Sequence, residues 1–253
     1  MTEKTTGKPR PSRSKAAKEA ALKAKARRPL WRQVLRLAGR GLLGVAGVYL
    51  LLILLFAFVN PPGNLYMWSE SRRLGGVSQV SLNIEDVAPA MARSVVAAED
   101  ANFCLHWGFD MAAIRAAVEA GSNRGASTLS QQVVKNVFLW QGRSWLRKAM
   151  EALITPVVEL VWSKQRILEV YLNIAEFDEG VFGVQAAAQH FFKVDAADLS
   201  SVQAARLAAV LPDPKGRSAG KPSSFVRKRA GQISGGAETI AADGRASCFE
   251  PQD

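Results

Sequence analysis

The chain has 253 residues, of which 48% are hydrophobic, and its formal net charge is +11. This length is enough for one domain of ordinary size plus a tail. Residues 1–40 hold 13 Lys and Arg side chains and two acids, so the remaining residues carry equal numbers of acids and bases. Because the positive charge is confined to the tail, the rest of the chain lacks the basic surface of a nucleic-acid-binding domain, and we expect no nucleic-acid partner.

The basic tail, residues 1–40, lacks the apolar content needed to fold by itself, and we predict that it is disordered. An apolar segment without charges follows, from Leu42 to Val59. As a helix it would be about 27 Å long, close to the ~30 Å hydrocarbon core of a bilayer. Bases flank only its N-terminal side, which predicts a membrane helix over residues 41–60 with its N-terminus in the cytoplasm. The alternative is a cleaved signal peptide, but its apolar region is usually only about 7–15 residues long.

Beyond the apolar segment, the sequence predicts mainly helices. Apolar, Ala-rich residues predict a buried helix from Met91 to Ala98, and a second one from Ser200 to Leu211. A helical period also runs over residues 145–173, with a kink or break expected at Pro156. Strand-like alternation is limited to residues 77–82. After residue 214 the helical period of the apolar residues is weak, so the sequence is compatible with either a final surface helix or partial disorder.

The two cysteines, Cys104 and Cys248, leave two interpretations open. In an exported chain they can form one disulfide bridge. Two free buried thiols are the equally acceptable alternative.

The segment from Glu99 to Asp110 contains the strongest candidate for chemistry. Glu99 comes at the end of the predicted apolar helix, where desolvation would raise its pKa toward the range useful for proton transfer. Taken alone, the segment is equally well explained by solvated acids at a helix C-terminus.

Four further motifs follow, and each has an ordinary structural explanation by itself. A Ser-Thr pair before two glutamines resembles a helix N-cap, and Lys148 with Glu151 resembles a surface ion pair. The remaining two motifs look like core helices. The four segments are Gly125–Asn136, Arg147–Glu151, Ser163–Phe177 and Ala204–Pro212.

In their order and spacing, the five motifs resemble those of the peptidoglycan glycosyltransferases, and the resemblance covers residues 60–215. It implies a mainly α, lysozyme-like domain over residues 61–215 after one N-terminal membrane helix, with residues 216–253 as a C-terminal extension. The implied substrate is lipid II, which is polymerised into β-1,4-linked glycan with release of polyprenyl pyrophosphate and inversion at MurNAc C1. The implied location is the bacterial inner membrane, with the catalytic domain in the periplasm. The implied partners are lipid II, the growing strand, membrane lipids and other cell-wall synthesis proteins.

The resemblance also assigns the site residues. Glu99 matches the catalytic base and Glu151 the second essential carboxylate, which could orient cations or hold a divalent ion, Mg²⁺ or Mn²⁺. No organic cofactor is implied. Asp100, Phe103 and His106 are expected to shape the turn that presents Glu99. The residues expected to contact the sugar and phosphates are Ser127, Thr128, Gln131, Gln132, Lys135, Arg143 and Lys148.

Two alternatives remain at this stage. A lytic glycosidase would also use two carboxylates, but it expels a sugar hydroxyl and needs an acid there rather than cations. An inactive membrane-anchored scaffold would not need both Glu99 and Glu151.

Overall fold

The computed structural model describes residues 13–26, 30–119, 121, 127–142 and 144–250. These residues are mainly helical, as predicted. The α-helices are α1 (Arg13–Ala26), α2 (Leu30–Phe56), α3 (Leu65–Leu74), α4 (Pro89–Glu99), α5 (Met111–Glu119), α6 (Leu129–Phe138), α7 (Trp145–Val161), α8 (Lys164–Ile174), α9 (Val184–Phe192), α10 (Ser201–Val210) and α11 (Ser224–Ala242). The strands are β1 (Ser78–Gln79), β2 (Glu176–Asp178) and β3 (Val181–Phe182), and short 3₁₀ helices cover Ile84–Asp86, Phe103–Leu105 and Ala196–Asp198.

The chain divides into two compact units, Met1–Leu51 and Leu52–Asp253. The first unit holds α1 and most of α2. Disorder was predicted over residues 1–40, and the structure corrects this for Arg13–Ala26 and for the residues from Leu30 onward, which are helical. The reason is the composition of α1, which is rich in the strong helix formers Ala and Lys. The rest of the tail lies outside the described residues.

One helix among the described residues is long and apolar enough to cross a membrane, over Trp31–Phe56. The prediction placed this helix over residues 41–60, so the observed helix begins earlier and ends earlier. It ends at Phe56, four residues before Asn60, which the following Pro61 disfavours in the α-helical region.

In the second unit, α4, α10 and α11 pack against one another. The apolar face of α11 is buried at Val226, Ile233 and Ile240. The predicted domain ended at residue 215, whereas the structure places α11 in the same core. Its apolar residues recur every three to four positions and cover the faces of α4 and α10, so the C-terminal extension is part of the domain.

A second layer consists of α6 packed against α7 and α8. A kink or a break between two helices was expected at Pro156. The region does form two helices, but Pro156 lies inside α7 and the break comes at Trp162 and Ser163. The side chain of Ser163 accepts a hydrogen bond from the backbone N–H of Arg166 at 3.1 Å. This N-cap starts the new helix α8.

The small sheet has the strand order β1-β3-β2, with β1 parallel and β2 antiparallel to β3. Of the segment predicted as strand-like, residues 77–82, only Ser78 and Gln79 pair in the sheet. Asn173 near the end of α8 is buried, and its side-chain amide accepts from Leu82 N at 2.9 Å and donates to Leu82 O at 2.8 Å. These two bonds join the chain after β1 to α8.

Candidate active site

Glu99 is the last residue of α4, as predicted, and it is half-buried. Its Oε2 atom accepts a hydrogen bond of 2.9 Å from Nε2 of Gln132 on α6. Burial raises the pKa of Glu99, while this hydrogen bond and the positive charges of Arg229 and Lys135 act in the opposite direction. The structure therefore supplies a carboxylate whose proton affinity is tuned by opposing effects, which suits a general base.

Asp100, the next residue, connects the turn after Glu99 to the start of α6. Its Oδ1 lies 2.8 Å from Nε2 of His106, and its Oδ2 accepts from the backbone N–H of Leu129 at 3.0 Å. Leu129 is the first residue of α6, so its N–H has no partner inside the helix. Asp100 and His106 thus shape the turn that presents Glu99, in agreement with the expectation from the sequence.

The start of α6 is held by a capping box. The side chain of Thr128 accepts from Gln131 N, and the side chain of Gln131 accepts from Thr128 N. The Thr128 hydroxyl also donates to Gly108 O at 2.7 Å. Gly108 has a φ of 82°, and a Cβ added there would lie 2.7 Å from Cγ2 of Thr155, so only glycine fits this position. Thr128 was predicted to contact substrate, but its hydroxyl is committed to this cap.

A cavity of about 280 Å³ lies between α6 and the N-terminal part of α7. Its lining consists of hydroxyl, amide, cationic and carboxylate side chains, namely those of Ser127, Gln131, Gln132, Lys135, Arg147, Lys148 and Glu151. Apart from Arg147, all of these were predicted as site residues. Arg147 was missed as a site residue, although it belongs to the quoted motif Arg147–Glu151.

Glu151 is only 3% exposed, and both of its carboxylate oxygens are occupied by cations. Nη1 of Arg147 donates to Oε1, and Nζ of Lys148 donates to Oε2 at 2.9 Å. Lys148 Nζ also donates to Ser127 Oγ at 3.3 Å. The pair that looked like an ordinary surface ion pair is thus part of a network around a buried carboxylate, which orients two cations along the cavity.

Lys135 is the cation that interacts with both carboxylates. Burial lowers the pKa of Lys135, and the charge of Arg147 lowers it further, while the charges of Glu151 and Glu99 oppose both effects. A partly desolvated ammonium group interacts more strongly with an anion than a solvated one does. The cavity therefore offers a favourable environment for a phosphate group.

A second cavity, of about 220 Å³, shares Gln132 and Lys135 with the first and is lined in addition by aromatic and polar side chains, among them Tyr66, Tyr171 and Glu176. The hydroxyl of Tyr171 donates to Oε1 of Gln132 at 3.4 Å. Gln132 donates to Glu99 through its amide nitrogen, so Tyr171 contacts the opposite end of the same amide. Tyr171 was interpreted from the sequence only as part of a core stripe, and no local signal indicated its second role.

Two of the calls made for the site concern Arg143 and a metal ion. Arg143 lies outside the described residues, so its predicted role stays a prediction. Among the described residues, no group of three His, Cys, Asp or Glu side chains is arranged to hold a metal ion.

Cys104 and Cys248 form a disulfide bond, with their Cα atoms 5.6 Å apart, which decides between the two interpretations left open by the sequence.

Comparison with known proteins identifies the family. Residues 70–237 match the family model described as Transglycosylase. The chain belongs to the transglycosylase family. A protein of Jannaschia sp. (strain CCS1) named biosynthetic peptidoglycan transglycosylase is 59% identical over 210 residues, which is 83% of this chain and 88% of that relative. A protein of the same name from Pseudomonas putida (strain W619) is 50% identical over 211 residues, covering 79% of this chain and 89% of the relative.

The resemblance stated from the motifs is therefore confirmed. The chain is a peptidoglycan transglycosylase and hence a glycosyltransferase, and its catalytic domain has the expected mainly helical, lysozyme-like fold.

Proposed function

We propose that this transglycosylase polymerises lipid II into β-1,4-linked glycan strands, releasing polyprenyl pyrophosphate and inverting the configuration at MurNAc C1. One observation carries the proposal. The partly buried carboxylate of Glu99 is hydrogen-bonded to Gln132, and Gln132 also lines the cavity that holds Lys135, Arg147 and Lys148. A base and an anion-binding surface therefore adjoin within one cleft.

Glu99 acts as the general base. The 4-hydroxyl of the incoming GlcNAc is a poor nucleophile, and it gains reactivity as its proton passes to the Glu99 carboxylate. The hydroxyl oxygen then forms a bond to C1 of MurNAc, and the bond between C1 and the pyrophosphate oxygen breaks with its electrons on the pyrophosphate. Attack from the side opposite the leaving group converts the α-linked donor into a β-linked product.

The cationic side chains receive the leaving group. Lys135, Arg147 and Lys148 surround one cavity, and Glu151 holds the last two in position. Preorganised positive charge at the place where negative charge develops contributes several kcal/mol, or about 10²–10³-fold per group, to a reaction of this kind. Because the leaving pyrophosphate is already an anion, no proton donor is needed.

This arrangement argues against a lytic glycosidase. A hydrolase needs a protonated carboxyl group to give its proton to the leaving sugar oxygen. Both oxygens of Glu151 already accept hydrogen bonds from Arg147 and Lys148, so neither is presented to a leaving sugar oxygen.

A divalent cation, Mg²⁺ or Mn²⁺, stays a prediction. The donor set around Glu151 does not fit a metal held by the protein alone, because both carboxylate oxygens already accept from cationic side chains. We therefore assign no step to a metal.

We also propose that the enzyme is anchored in the inner membrane with its N-terminus in the cytoplasm and its catalytic domain in the periplasm. The apolar helix Trp31–Phe56 and the one-sided basic flank support the anchor and its direction. The Cys104–Cys248 bond suits an oxidising compartment.

Exposed apolar side chains follow one face of α7, at Leu146, Leu153 and Leu160, and are suited to contact lipid beside the site. Lipid II, the growing strand and membrane lipids are then the natural partners, and further cell-wall synthesis proteins remain a prediction.

The test is polymerisation of purified lipid II in detergent by the full chain and by Glu99→Gln, with Glu238→Gln as a control that changes an exposed acid on α11. We expect long glycan from the wild type and the control, and a loss of about 10²–10⁴-fold from Glu99→Gln. Polymer formation at the normal rate by Glu99→Gln would refute its role as base. A folded wild type that makes no polymer would refute the proposed function, and cleavage of preformed glycan would favour the hydrolase.

A further inference from the structure

The C-terminal segment 224–250, here called the C-terminal strap, is joined to the part of the chain that carries Glu99. Its contacts include hydrogen bonds to backbone carbonyls, a covalent bond and a ring contact. They link Arg229 Nη2 to Ala98 O at 3.2 Å, Arg245 Nη1 to Ala101 O at 3.0 Å, Cys248 to Cys104, and the ring of Phe249 to that of Phe103 at 6.4 Å between centroids. The catalytic base is therefore held between attachments on both sides.

Among these attachments, that of Arg229 is at the position nearest to the base, because its partner Ala98 is the residue before Glu99. It is half-buried on α11, and its guanidinium donates to the carbonyl of the residue that immediately precedes Glu99. That carbonyl belongs to the last turn of α4, where carbonyl groups have no partner within the helix. A cationic donor at this place satisfies the carbonyl and interacts favourably with the negative end of the helix dipole.

The charged and titratable groups that act on Glu99 come from each helix around it. They are Asp100 beside it on the chain, Lys135 on α6, Tyr171 on α8 and Arg229 on α11. Two of these four groups, Lys135 and Arg229, are cations. Lys135 is shared with Glu151 and repelled by Arg147, whereas Arg229 forms no ion pair with a carboxylate within salt-bridge distance in the described part of the chain. Arg229 is thus the cation that binds the C-terminal end of α4, where Glu99 lies.

We propose that Arg229 is a positioning residue for the base: its guanidinium holds the end of α4 through the carbonyl of Ala98 and places a positive charge near the Glu99 side chain. The proposal rests on the proposed function, in which Glu99 removes the proton from the acceptor hydroxyl. It assigns a functional role to α11, a helix that contributes no motif to the sequence resemblance.

The test removes the charge in two ways, by R229Q and R229M, and restores it with R229K. The control is K228Q, which removes one positive charge from the neighbouring, exposed position on the same helix. The first measurement needs no substrate: the Glu99 side-chain carboxyl of the full chain in detergent is titrated by ¹³C NMR, with the signal assigned from Glu99→Gln. The second measurement is kcat/KM for lipid II as a function of pH.

Loss of a nearby cation makes the carboxylate less stable, so the carboxyl holds its proton to higher pH. We expect R229Q and R229M to move the NMR midpoint and the acidic limb of kcat/KM upward by about one pH unit, as the loss of one nearby screened charge would do. Activity on the acidic limb then falls about tenfold and recovers at higher pH. R229K and K228Q should both keep the wild-type midpoint.

An unchanged NMR midpoint in a folded R229Q or R229M protein would overturn the proposal. So would a loss of activity by the same factor at every pH, since that is the behaviour of a substrate contact or of a structural defect. Circular dichroism identifies a variant that fails to fold, and if both charge-removing variants unfold while R229K is normal, Arg229 is a structural residue and the proposal fails. A wild type that titrates normally but makes no polymer would instead overturn the proposed function.

Discussion

Replacing Asp100 removes the carboxylate that joins the turn after Glu99 to the start of α6. The side chain of Asp100 is 3% exposed and that of His106 is 8% exposed, so water does not readily replace either one as a partner. In Asp100→Ala, the backbone N–H of Leu129 and the ring nitrogen of His106 both lose their acceptor. Each hydrogen bond to a charged group is worth about 1.5–3 kcal/mol, so we expect the loss of two to lower the free energy of unfolding by about 3–6 kcal/mol.

Asp100→Asn separates the effect of hydrogen bonding from that of charge. Its amide oxygen can still accept from Leu129 N, and its amide nitrogen can donate to Nε2 of His106 when the ring proton is on Nδ1. One charge-assisted bond becomes a neutral bond and the other reverses direction, so the expected loss is only about 1–2 kcal/mol.

The assay is thermal unfolding in detergent, followed by near-UV circular dichroism, with lipid II polymerisation measured well below the transition. For a unit of this size, 1 kcal/mol corresponds to about 2–4 °C, so Asp100→Ala should melt about 10 °C below the wild type and Asp100→Asn about 3–6 °C below. We also expect kcat of Asp100→Ala to fall about tenfold or more, because Glu99 loses its fixed position. A melting temperature of Asp100→Ala equal to that of the wild type, or equal effects of Ala and Asn, would refute this reasoning.

Two further predictions concern stability. The double variant C104S/C248S should unfold at lower denaturant concentration, because the disulfide closes a loop of 144 residues in the unfolded chain. We expect its free energy of unfolding to be about 2–4 kcal/mol lower. Dithiothreitol should destabilise the wild type and leave the double variant unchanged, and an effect on both would show that the reductant acts elsewhere. The hydrogen bonds from Arg73 and then Lys215 lower the pKa of Glu70 from 4.5 to about 2. The folded state therefore gains stability from ionised Glu70 above pH 4.5 and loses that gain as the pH falls toward 2. Unfolding of the wild type should depend more steeply on pH in this window than that of E70Q, and parallel curves would contradict the assignment.

The contacts near the candidate site that the sequence could predict depend on short-range patterns. Glu99 ends α4 because the apolar run before it stops there, and Lys148 pairs with Glu151 because residues three apart are neighbours on a helix. The break after α7 was misplaced because proline is a strong but not decisive signal. Ser163 provides the N-cap that starts the next helix, and it lies seven positions beyond Pro156.

The sequence by itself therefore determined the helical class and an apolar helix long enough to span a membrane, because these depend on composition and on periods of a few residues. The order and spacing of the five motifs gave the resemblance to the family. Only the tertiary structure decided which distant residues meet. Gln132 donates to Glu99 across 33 positions, Cys104 bonds Cys248 across 144, and Arg229 reaches Ala98 across 131. The weak period of α11 is equally typical of a surface helix, and its burial depends on the faces that α4 and α10 present to it. Such contacts follow from how helices pack against one another, which no local pattern in the chain specifies.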